Sequence, residues 1–295
     1  MSSAPPLGLI GIGLLGSVLA QRLLAGGFRV VGHDLDPTRR DLLARDGGEA
    51  VADSGEVFRR CRRILLSLPS HREVTEVLTA HASTLQSGSI LIDTTTGDPA
   101  SAAALAHGLA VRGITYLDAT VSGSSAQVRD GIAILMVGGN AAAFQDCADL
   151  FSKLGGEAYH TGGPGTGAKM KLVTNVVLGL NRAALAEGLA LARGLGLDAE
   201  QAFAIMSRGP AYSRVMDRKG EKMLRGDFAP EARLSQHLKD VRLILQQGQA
   251  AGLPMPLSET HRRLLEAAEA AGLGALDNSA IIQVLGPTAG GPAKE

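Results

Sequence analysis

Residues 7–34 read Leu-Gly-Leu-Ile-Gly-Ile-Gly-Leu-Leu-Gly, then a run rich in Leu and Ala, then Phe-Arg-Val-Val-Gly-His-Asp. The short apolar segment Leu7–Ile10 predicts a strand that runs directly into a glycine-rich turn, and the pattern of Leu14–Ala25 predicts an amphipathic helix. A second glycine turn and a second strand follow, and an acidic residue, Asp34, ends that strand. Strand, turn, helix and strand in this order predict the first βαβ unit of a dinucleotide-binding fold.

The three glycines of the first turn have separate roles. Gly11 permits the tight turn, Gly13 lets the backbone approach a pyrophosphate, and Gly16 lets the helix pack closely on the strand. The N-terminus of the helix offers unpaired N–H groups and a positive dipole end to the phosphates. The alternative is a glycine-rich turn in a sheet that binds nothing. The predicted cofactor contacts in this turn are Gly11, Ile12, Gly13, Leu14, Leu15 and Gly16.

The composition excludes several classes of protein. Lys+Arg and Asp+Glu are equal at 29 each, so no basic surface for a nucleic acid is expected. No stretch approaches 18 unbroken apolar residues, which argues against a membrane span, and the start of the chain lacks an export signal. The isolated Cys61 and Cys147 favour a reducing cytoplasm. The seven histidines lack ligand spacing, so no metal is expected.

The organisation of the chain changes once. Strand-like and helical runs alternate in the first half, which predicts an open, mainly parallel, doubly wound sheet. After the Gly- and Thr-rich segment 161–167 only helical periodicity remains, beginning with a long run from Ala168 to about Gly194. We therefore predict a Rossmann-type domain at 1–164 and an all-helical domain for substrate binding and oligomerisation at 165–295, with a disordered tail at about 286–295. The strand-like runs are Leu7–Ile10, Arg29–His33, Arg63–Leu68, Ile90–Ile92, Thr115–Leu117 and Ile132–Val137.

Asp34 bears on the choice of cofactor. A carboxylate at the end of the second strand accepts hydrogen bonds from the ribose 2′-OH and repels a 2′-phosphate, which favours NAD over NADP. Arg39 and Arg40 lie close enough in sequence to hold a phosphate, although they also fit a solvated first turn of a helix. NAD is therefore expected, with NADP as the alternative.

Two polar clusters follow strands of the predicted sheet. The segment Asp93–Pro99 is explained by a helix cap followed by a Pro start, and it also lies at the carboxyl edge of the sheet. In the segment Asp118–Ser125, Ser122 and neighbouring N–H groups, including that of Gly123, are placed to hold a carboxylate, although a Ser/Gly turn explains them as well.

A third cluster opens the long helix. Lys171 and Asn175 are four residues apart and share one face, whereas Lys169 points away from it. A lysine beside an amide can exchange a proton with a substrate oxygen, although most lysines near a helix start are merely solvated.

Together these segments resemble the β-hydroxyacid dehydrogenase family, of the 3-hydroxyisobutyrate dehydrogenase and tartronate semialdehyde reductase type. The resemblance runs from about Leu7 to Leu285. It rests on five motifs in order: Gly8–Gly16, Leu65–Pro69, Asp93–Pro99, Asp118–Gly139 and Gly165–Asn175, with Leu238-Lys239-Asp240 in support.

The resemblance implies roles for individual residues. It makes Lys171 the catalytic lysine and Thr96 a contact to both cofactor and substrate. It also implies cofactor contacts at Leu68, Pro69 and Lys239. The expected activity is NAD(P)-dependent hydride transfer between a small β-hydroxyacid and its semialdehyde or oxo acid, and a homodimer or homotetramer is expected. The alternatives are a reductase of another carbonyl or imine, or a silent dinucleotide-binding module.

The chain departs from the family pattern at a few positions. Ser124 replaces the third glycine of its motif, Thr120 replaces a proline, and Thr174 replaces the first of two asparagines. Ala232, followed by Arg233, stands where a phenylalanine is often found. These departures suggest a larger or more anionic substrate end, or a divergent loop.

Overall fold

The structure is a computed structural model that describes residues 5–285, and these divide into two compact units that meet within one long helix, between Lys171 and Leu172. The first unit is built on a mostly parallel sheet. Its strands in the described chain are β1 (Leu7–Ile10), β2 (Val30–His33), β3 (Glu49–Ala50), β4 (Arg63–Leu66), β5 (Ile90–Asp93), β6 (Thr115–Ser122), β7 (Ile134–Gly138) and β8 (Glu157–Gly162).

Within residues 5–285 the sheet has the strand order β3-β2-β1-β4-β5-β6-β7-β8. Neighbouring strands are parallel except for the antiparallel pair β6 and β7. The helices of this unit are α1 (Leu14–Ala25), α2 (Pro37–Arg45), α3 (Ser54–Arg60), α4 (His71–Ala80), α5 (Pro99–Ala110), α6 (Ser125–Arg129), α7 (Ala141–Asp146) and α8 (Ala148–Leu154).

Apolar side chains pack on both faces of the sheet. On one face Leu19 and Leu23 of α1 pack with Phe151 of α8, and on the other Phe58 of α3 packs with Val74 of α4. Several helices start where their sequences predict. Asp36 caps α2 and Asp98 caps α5, and in each case a proline occupies the first turn. The two cores hold the carboxyl ends of β1, β4, β5 and β6 along one edge, where ligands bind in such sheets.

The second unit is helical. Its elements are the remainder of α9 (Thr166–Gly194), then α10 (Ala199–Arg208), α11 (Met216–Arg225), α12 (Leu234–Ala250), α13 (Pro256–Ala270) and a 3₁₀ helix at Asn278–Val284. Its core joins Leu185 and Leu189 of α9 with Leu238 of α12 and Leu265 of α13. No helix within residues 5–285 is long and apolar enough to cross a membrane.

The predicted fold class is confirmed, with corrections to several elements. β6 extends to Ser122, so Asp118 lies within the strand rather than after it. The strands β3 and β8 and the 3₁₀ helix were not predicted. β8 lies at the edge of the sheet and exposes Glu157 and His160, so it lacks an apolar run. The predicted disordered tail at about 286–295 lies outside the described residues.

Candidate functional site

The glycine turn after β1 has the geometry that a pyrophosphate needs. Gly11 has φ +92°, and a Cβ there would lie 2.3 Å from the carbonyl oxygen of Ser67. A Cβ on Gly16 would lie 2.0 Å from the carbonyl oxygen of Gly11, so α1 packs against the turn at backbone distance. A Cβ added to Gly13 would meet no atom within 4 Å. The turn is therefore closed toward the sheet and open at Gly13, and its residues fit a dinucleotide at the N-terminus of α1.

Asp34 is tied to this turn. Its Oδ2 accepts a hydrogen bond from the backbone N–H of Ile12 at 2.6 Å, and its Oδ1 accepts one from the N–H of Asp36 at 2.9 Å. Arg40 turns back, so that its Nη1 donates to the carbonyl oxygens of Asp34 and Leu35. The carboxylate is thus held beside the glycine turn, where a cofactor ribose would lie.

The loops after β4 and β5 are joined to each other. The backbone N–H of Leu68 donates to the Oγ1 of Thr95 at 3.2 Å, and the Oγ1 of Thr94 donates to the carbonyl oxygen of Leu66 at 2.9 Å. Leu68 and Thr96 are therefore carried by two loops that share hydrogen bonds. Pro69 follows Leu68 in the first of these loops.

A buried pair, Asp93 and Tyr116, lies under these loops. The Tyr116 hydroxyl donates to Oδ2 of Asp93 at 2.5 Å, and the backbone N–H of Thr95 donates to its Oδ1 at 2.8 Å. Burial raises the pKa of Asp93, which these hydrogen bonds oppose, and burial also raises the pKa of Tyr116. The pair fixes the start of the Thr96 loop, and the sequence interpretation missed both Tyr116 and Thr95. The consecutive threonines directly after a strand were the available signal.

β6 holds the first turns of α9 along its length. The Asp118 carboxylate accepts hydrogen bonds from the backbone N–H groups of Gly165 (2.9 Å) and Ala168 (2.8 Å). The buried hydroxyl of Thr120 donates to the carbonyl oxygen of Gly167 at 2.9 Å. Thr120, where the family pattern has proline, therefore anchors the helix that carries Lys171.

Lys171 continues this series of contacts. Its Nζ donates to the carbonyl oxygen of Val121 at 2.6 Å, and the residue is half-buried whereas Lys169 is exposed. The next residue, Ser122, ends β6, and Gly123 follows. Within the first unit the structure therefore brings the ammonium group of Lys171 to the end of the strand that carries Ser122.

Ser124, the departure from the third motif glycine, has a structural role. Its Oγ accepts a hydrogen bond from the N–H of Gln127, and the Gln127 side chain accepts one from the N–H of Ser124. This capping box begins α6 directly after Gly123. It holds the segment that contains Ser122 and Gly123.

In the second unit, Asn175 forms a buried polar pair with Asp240. The Nδ2 of Asn175 donates to Oδ2 of Asp240 at 3.0 Å, joining α9 to α12. Lys239 is the adjacent residue on α12 and is half-buried. The amide of Asn175 is therefore oriented by a carboxylate, a contact that the motif spacing did not predict.

Two families match consecutive parts of the chain. The NAD binding domain of 6-phosphogluconate dehydrogenase matches residues 6–162. The family described as NAD-binding of NADP-dependent 3-hydroxyisobutyrate dehydrogenase matches residues 165–285. The first match contains the glycine turn and Asp34, and the second contains Lys171 and Asn175.

Known proteins resemble the chain over nearly its full length. It is 32% identical to 2-(hydroxymethyl)glutarate dehydrogenase of Eubacterium barkeri, over 96% of each chain. It is 30% identical to 2-hydroxy-3-oxopropionate reductase of Escherichia coli, over 95% of this chain and 96% of the relative. The crystal structure of a 3-hydroxyisobutyrate dehydrogenase from Salmonella typhimurium matches with a TM-score of 0.88 and 26% identity, over 95% of this chain and all of the other.

The chain belongs to the β-hydroxyacid dehydrogenase family. Within that family it is an NAD(P)-dependent oxidoreductase, as its motifs predict.

Proposed function

We propose that the protein interconverts a small β-hydroxyacid and its semialdehyde or oxo acid, with Lys171 as the general acid and base. The observation that carries this proposal is the position of Lys171, whose Nζ donates to the Val121 carbonyl oxygen at 2.6 Å, one residue before Ser122. A lysine ammonium group carries three N–H donors, and this hydrogen bond holds the group at the end of β6. The bound nicotinamide supplies the hydride.

Lys171 protonates the forming alkoxide in the direction of reduction and removes the hydroxyl proton in the direction of oxidation. Ser122, which ends β6, and the N–H of Gly123 bind the substrate carboxylate. Thr96 contacts both the cofactor and the substrate. Asn175, oriented by Asp240, binds the reacting oxygen from the same face of α9 as Lys171.

The protein's own groups favour NAD over NADP in this proposal. The glycine turn from Gly11 to Gly16 holds the pyrophosphate, while Leu68, Pro69 and Lys239 contact the cofactor elsewhere. The Asp34 carboxylate accepts a hydrogen bond from the Ile12 N–H at 2.6 Å. In this position it accepts a further hydrogen bond from the ribose 2′-OH of NAD and repels the 2′-phosphate of NADP.

Steady-state turnover with NADH and NADPH tests the activity across a panel of small β-hydroxyacids and semialdehydes. Lys171→Ala should lower kcat by about 10²–10⁴-fold while leaving cofactor affinity unchanged, because the proton donor is lost and the glycine turn is intact. Lys169→Ala is the matched control on the exposed face and should keep wild-type kcat. Lack of turnover with every member of the panel, or retention of more than roughly a tenth of kcat in Lys171→Ala, would contradict the proposal.

We also propose a homodimer or homotetramer. Several large apolar side chains of the second half of the chain are exposed, among them Val173 and Val177 on α9, Leu195 after it and Ile205 on α10. Burying them against a second copy would remove apolar surface from water. Light scattering at micromolar concentration should show a species above the chain mass of 30.4 kDa. A species of the chain mass alone would rule the assembly out.

Two further predictions remain proposals. The first is a division of the chain into a cofactor-binding domain at 1–164 and a helical domain at 165–295, with the boundary just before α9. The free, buried Cys61 and Cys147 support a cytoplasmic location, where thiols stay reduced.

A further inference from the structure

The loop after β4 packs against the glycine turn. The backbone N–H of Ser67 donates to the carbonyl oxygen of Ile10 at 2.9 Å. A Cβ on Gly11 would lie 2.3 Å from the carbonyl oxygen of Ser67 and 3.0 Å from Cδ2 of Leu68. The loop therefore meets the turn at backbone distance, and this contact fixes one side of Leu68 relative to the proposed pyrophosphate site.

The other side of Leu68 is held by one hydroxyl group. Its backbone N–H donates to Oγ1 of Thr95 at 3.2 Å, and Thr95 is 7% exposed. A backbone N–H in a partly buried loop is costly to leave without an acceptor. The Thr95 hydroxyl therefore joins the loop after β5 to the loop that packs on the glycine turn.

Thr95 is itself held by the sheet. Its backbone N–H donates to Oδ1 of Asp93 at 2.8 Å, and the Tyr116 hydroxyl donates to Oδ2 of the same carboxylate at 2.5 Å. Asp93 ends β5, Tyr116 lies on β6, and both side chains are buried. A continuous series of hydrogen bonds thus runs from β6 through Asp93 and Thr95 to Leu68.

The proposed function locates the nicotinamide beside these two loops. It takes Thr96 as a contact to both the cofactor and the substrate. Because hydride passes directly between the nicotinamide and the substrate, a residue that contacts both lies at the nicotinamide end of the cofactor. Leu68 and Pro69, the other proposed cofactor contacts here, belong to the loop that is bonded to Thr95.

We propose that Thr95 is the positioning residue for the nicotinamide end of the cofactor. Its hydroxyl sets the spacing between the glycine turn, which holds the pyrophosphate, and Thr96. This inference rests on the proposed function, because it uses the cofactor contacts of Leu68 and Thr96. Thr95 contacts neither ligand in this role and acts through the Leu68 backbone and through its neighbour Thr96.

Binding of NADH and of ADP-ribose separates the two parts of the cofactor. ADP-ribose has the pyrophosphate and both riboses but no nicotinamide, so its Kd reports on the glycine turn and on Asp34. Thr95→Val keeps the shape of the side chain and removes the acceptor. The ratio of the Kd for NADH to the Kd for ADP-ribose should then rise by about 3- to 10-fold, the effect of one lost hydrogen bond.

This ratio distinguishes positioning from general damage. Unfolded protein lowers the number of sites for both ligands equally, so it leaves the ratio unchanged. The two loops also keep a second contact, because a Cβ on Gly97 would lie 3.0 Å from Cβ of His71. Loss of the Thr95 hydroxyl should therefore loosen the nicotinamide end without unfolding the loops.

Thr94→Val is the matched control. Thr94 is buried in the same loop, and its Oγ1 donates at 2.9 Å to the Leu66 carbonyl oxygen, which also accepts from the Thr94 N–H. The change removes a hydroxyl group but leaves the Leu68 N–H bonded, so the ratio should equal that of the wild type. Thr95→Ser keeps the hydroxyl group and should restore the wild-type ratio.

Fluorescence titration with NADH and competition by ADP-ribose measure both Kd values. An unchanged ratio in Thr95→Val, an equal rise in Thr94→Val, or a raised ratio that persists in Thr95→Ser would overturn the inference. If the wild type prefers NADPH, the same comparison uses NADPH and 2′-phospho-ADP-ribose. Lack of turnover across the whole substrate panel would contradict the proposed function, and the ratio of Kd values would still decide the role of Thr95.

Discussion

Replacing Asp118 by asparagine should both destabilise the protein and slow turnover. The two oxygens of this carboxylate have different partners, since Oδ1 accepts from the Gly165 N–H at 2.9 Å and Oδ2 from the Ala168 N–H at 2.8 Å. An asparagine side chain has one acceptor oxygen and one NH₂ group. Whichever way the amide turns, one backbone N–H faces another donor, and the start of α9 loses an anchor.

The magnitude follows from these two bonds. Asp118→Asn removes one hydrogen bond to a charged acceptor and leaves a buried N–H unsatisfied, which costs about 2–4 kcal/mol of unfolding free energy. Burial raises the pKa of Asp118, so part of this cost is offset by removing a desolvated carboxylate. Lys171 lies within the first two turns of α9, so its ammonium group should shift relative to Ser122. A shift of about 1 Å in a catalytic group lowers kcat by about 10²-fold.

Urea unfolding and steady-state kinetics measure the two effects. Asp41→Asn, at an exposed position on α2, is the matched control and should change neither quantity. If Asp118→Asn unfolds within about 0.5 kcal/mol of the wild type and keeps its kcat, then β6 does not fix α9 through this carboxylate. Loss of stability with unchanged kcat would show that Lys171 is positioned independently of the Asp118 carboxylate.

Two other perturbations follow from the same structure. Asp34→Asn keeps an acceptor for the Ile12 N–H but removes the negative charge that repels a 2′-phosphate. The ratio of kcat/KM with NADPH to kcat/KM with NADH should therefore rise by about 10-fold or more. An unchanged ratio would show that Asp34 does not select the cofactor. Because burial and Arg182 lower the pKa of His261 from 6.5 to about 4, its imidazole stays neutral in the folded state while the unfolded chain takes up a proton. Stability should therefore fall between pH 6.5 and 4, by about 3 kcal/mol for this group. His261→Gln should flatten that part of a urea-unfolding pH profile and exposed His107→Gln should not; equal slopes for the two variants would mean that His261 titrates normally.

The sequence predicted the fold class and most elements because local chemistry and tertiary context agree there. The Leu7–Ile10 strand, the Leu14–Ala25 helix and the Pro starts at Pro37 and Pro99 lie where the patterns place them. β8 was missed because an edge strand needs no continuous apolar run. β6 was shortened in the prediction because its polar residues Asp118 and Thr120 resemble a turn, although both are buried and bonded to α9.

The candidate site was predicted as separate motifs, and the contacts between motifs were not. Spacing indicated that Lys171 and Asn175 share a helix face, since that follows from helical geometry alone. The Asp93–Tyr116 hydrogen bond and the Asn175–Asp240 pair join residues 23 and 65 positions apart. No local pattern encodes such partners, because they depend on which strands and helices become neighbours.

The placement of Lys171 follows from the register between β6 and α9. The Asp118 carboxylate accepts a hydrogen bond from the N–H of Gly165, directly before α9. The Thr120 hydroxyl donates to the carbonyl oxygen of Gly167, the second residue of α9, and the Val121 carbonyl oxygen accepts from Lys171. Successive residues of β6 therefore contact successive positions along the start of α9. Ser122 is the next residue along the strand, so the carbonyl group that Lys171 contacts directly precedes it. One strand thus places both the proposed proton donor and the proposed carboxylate site.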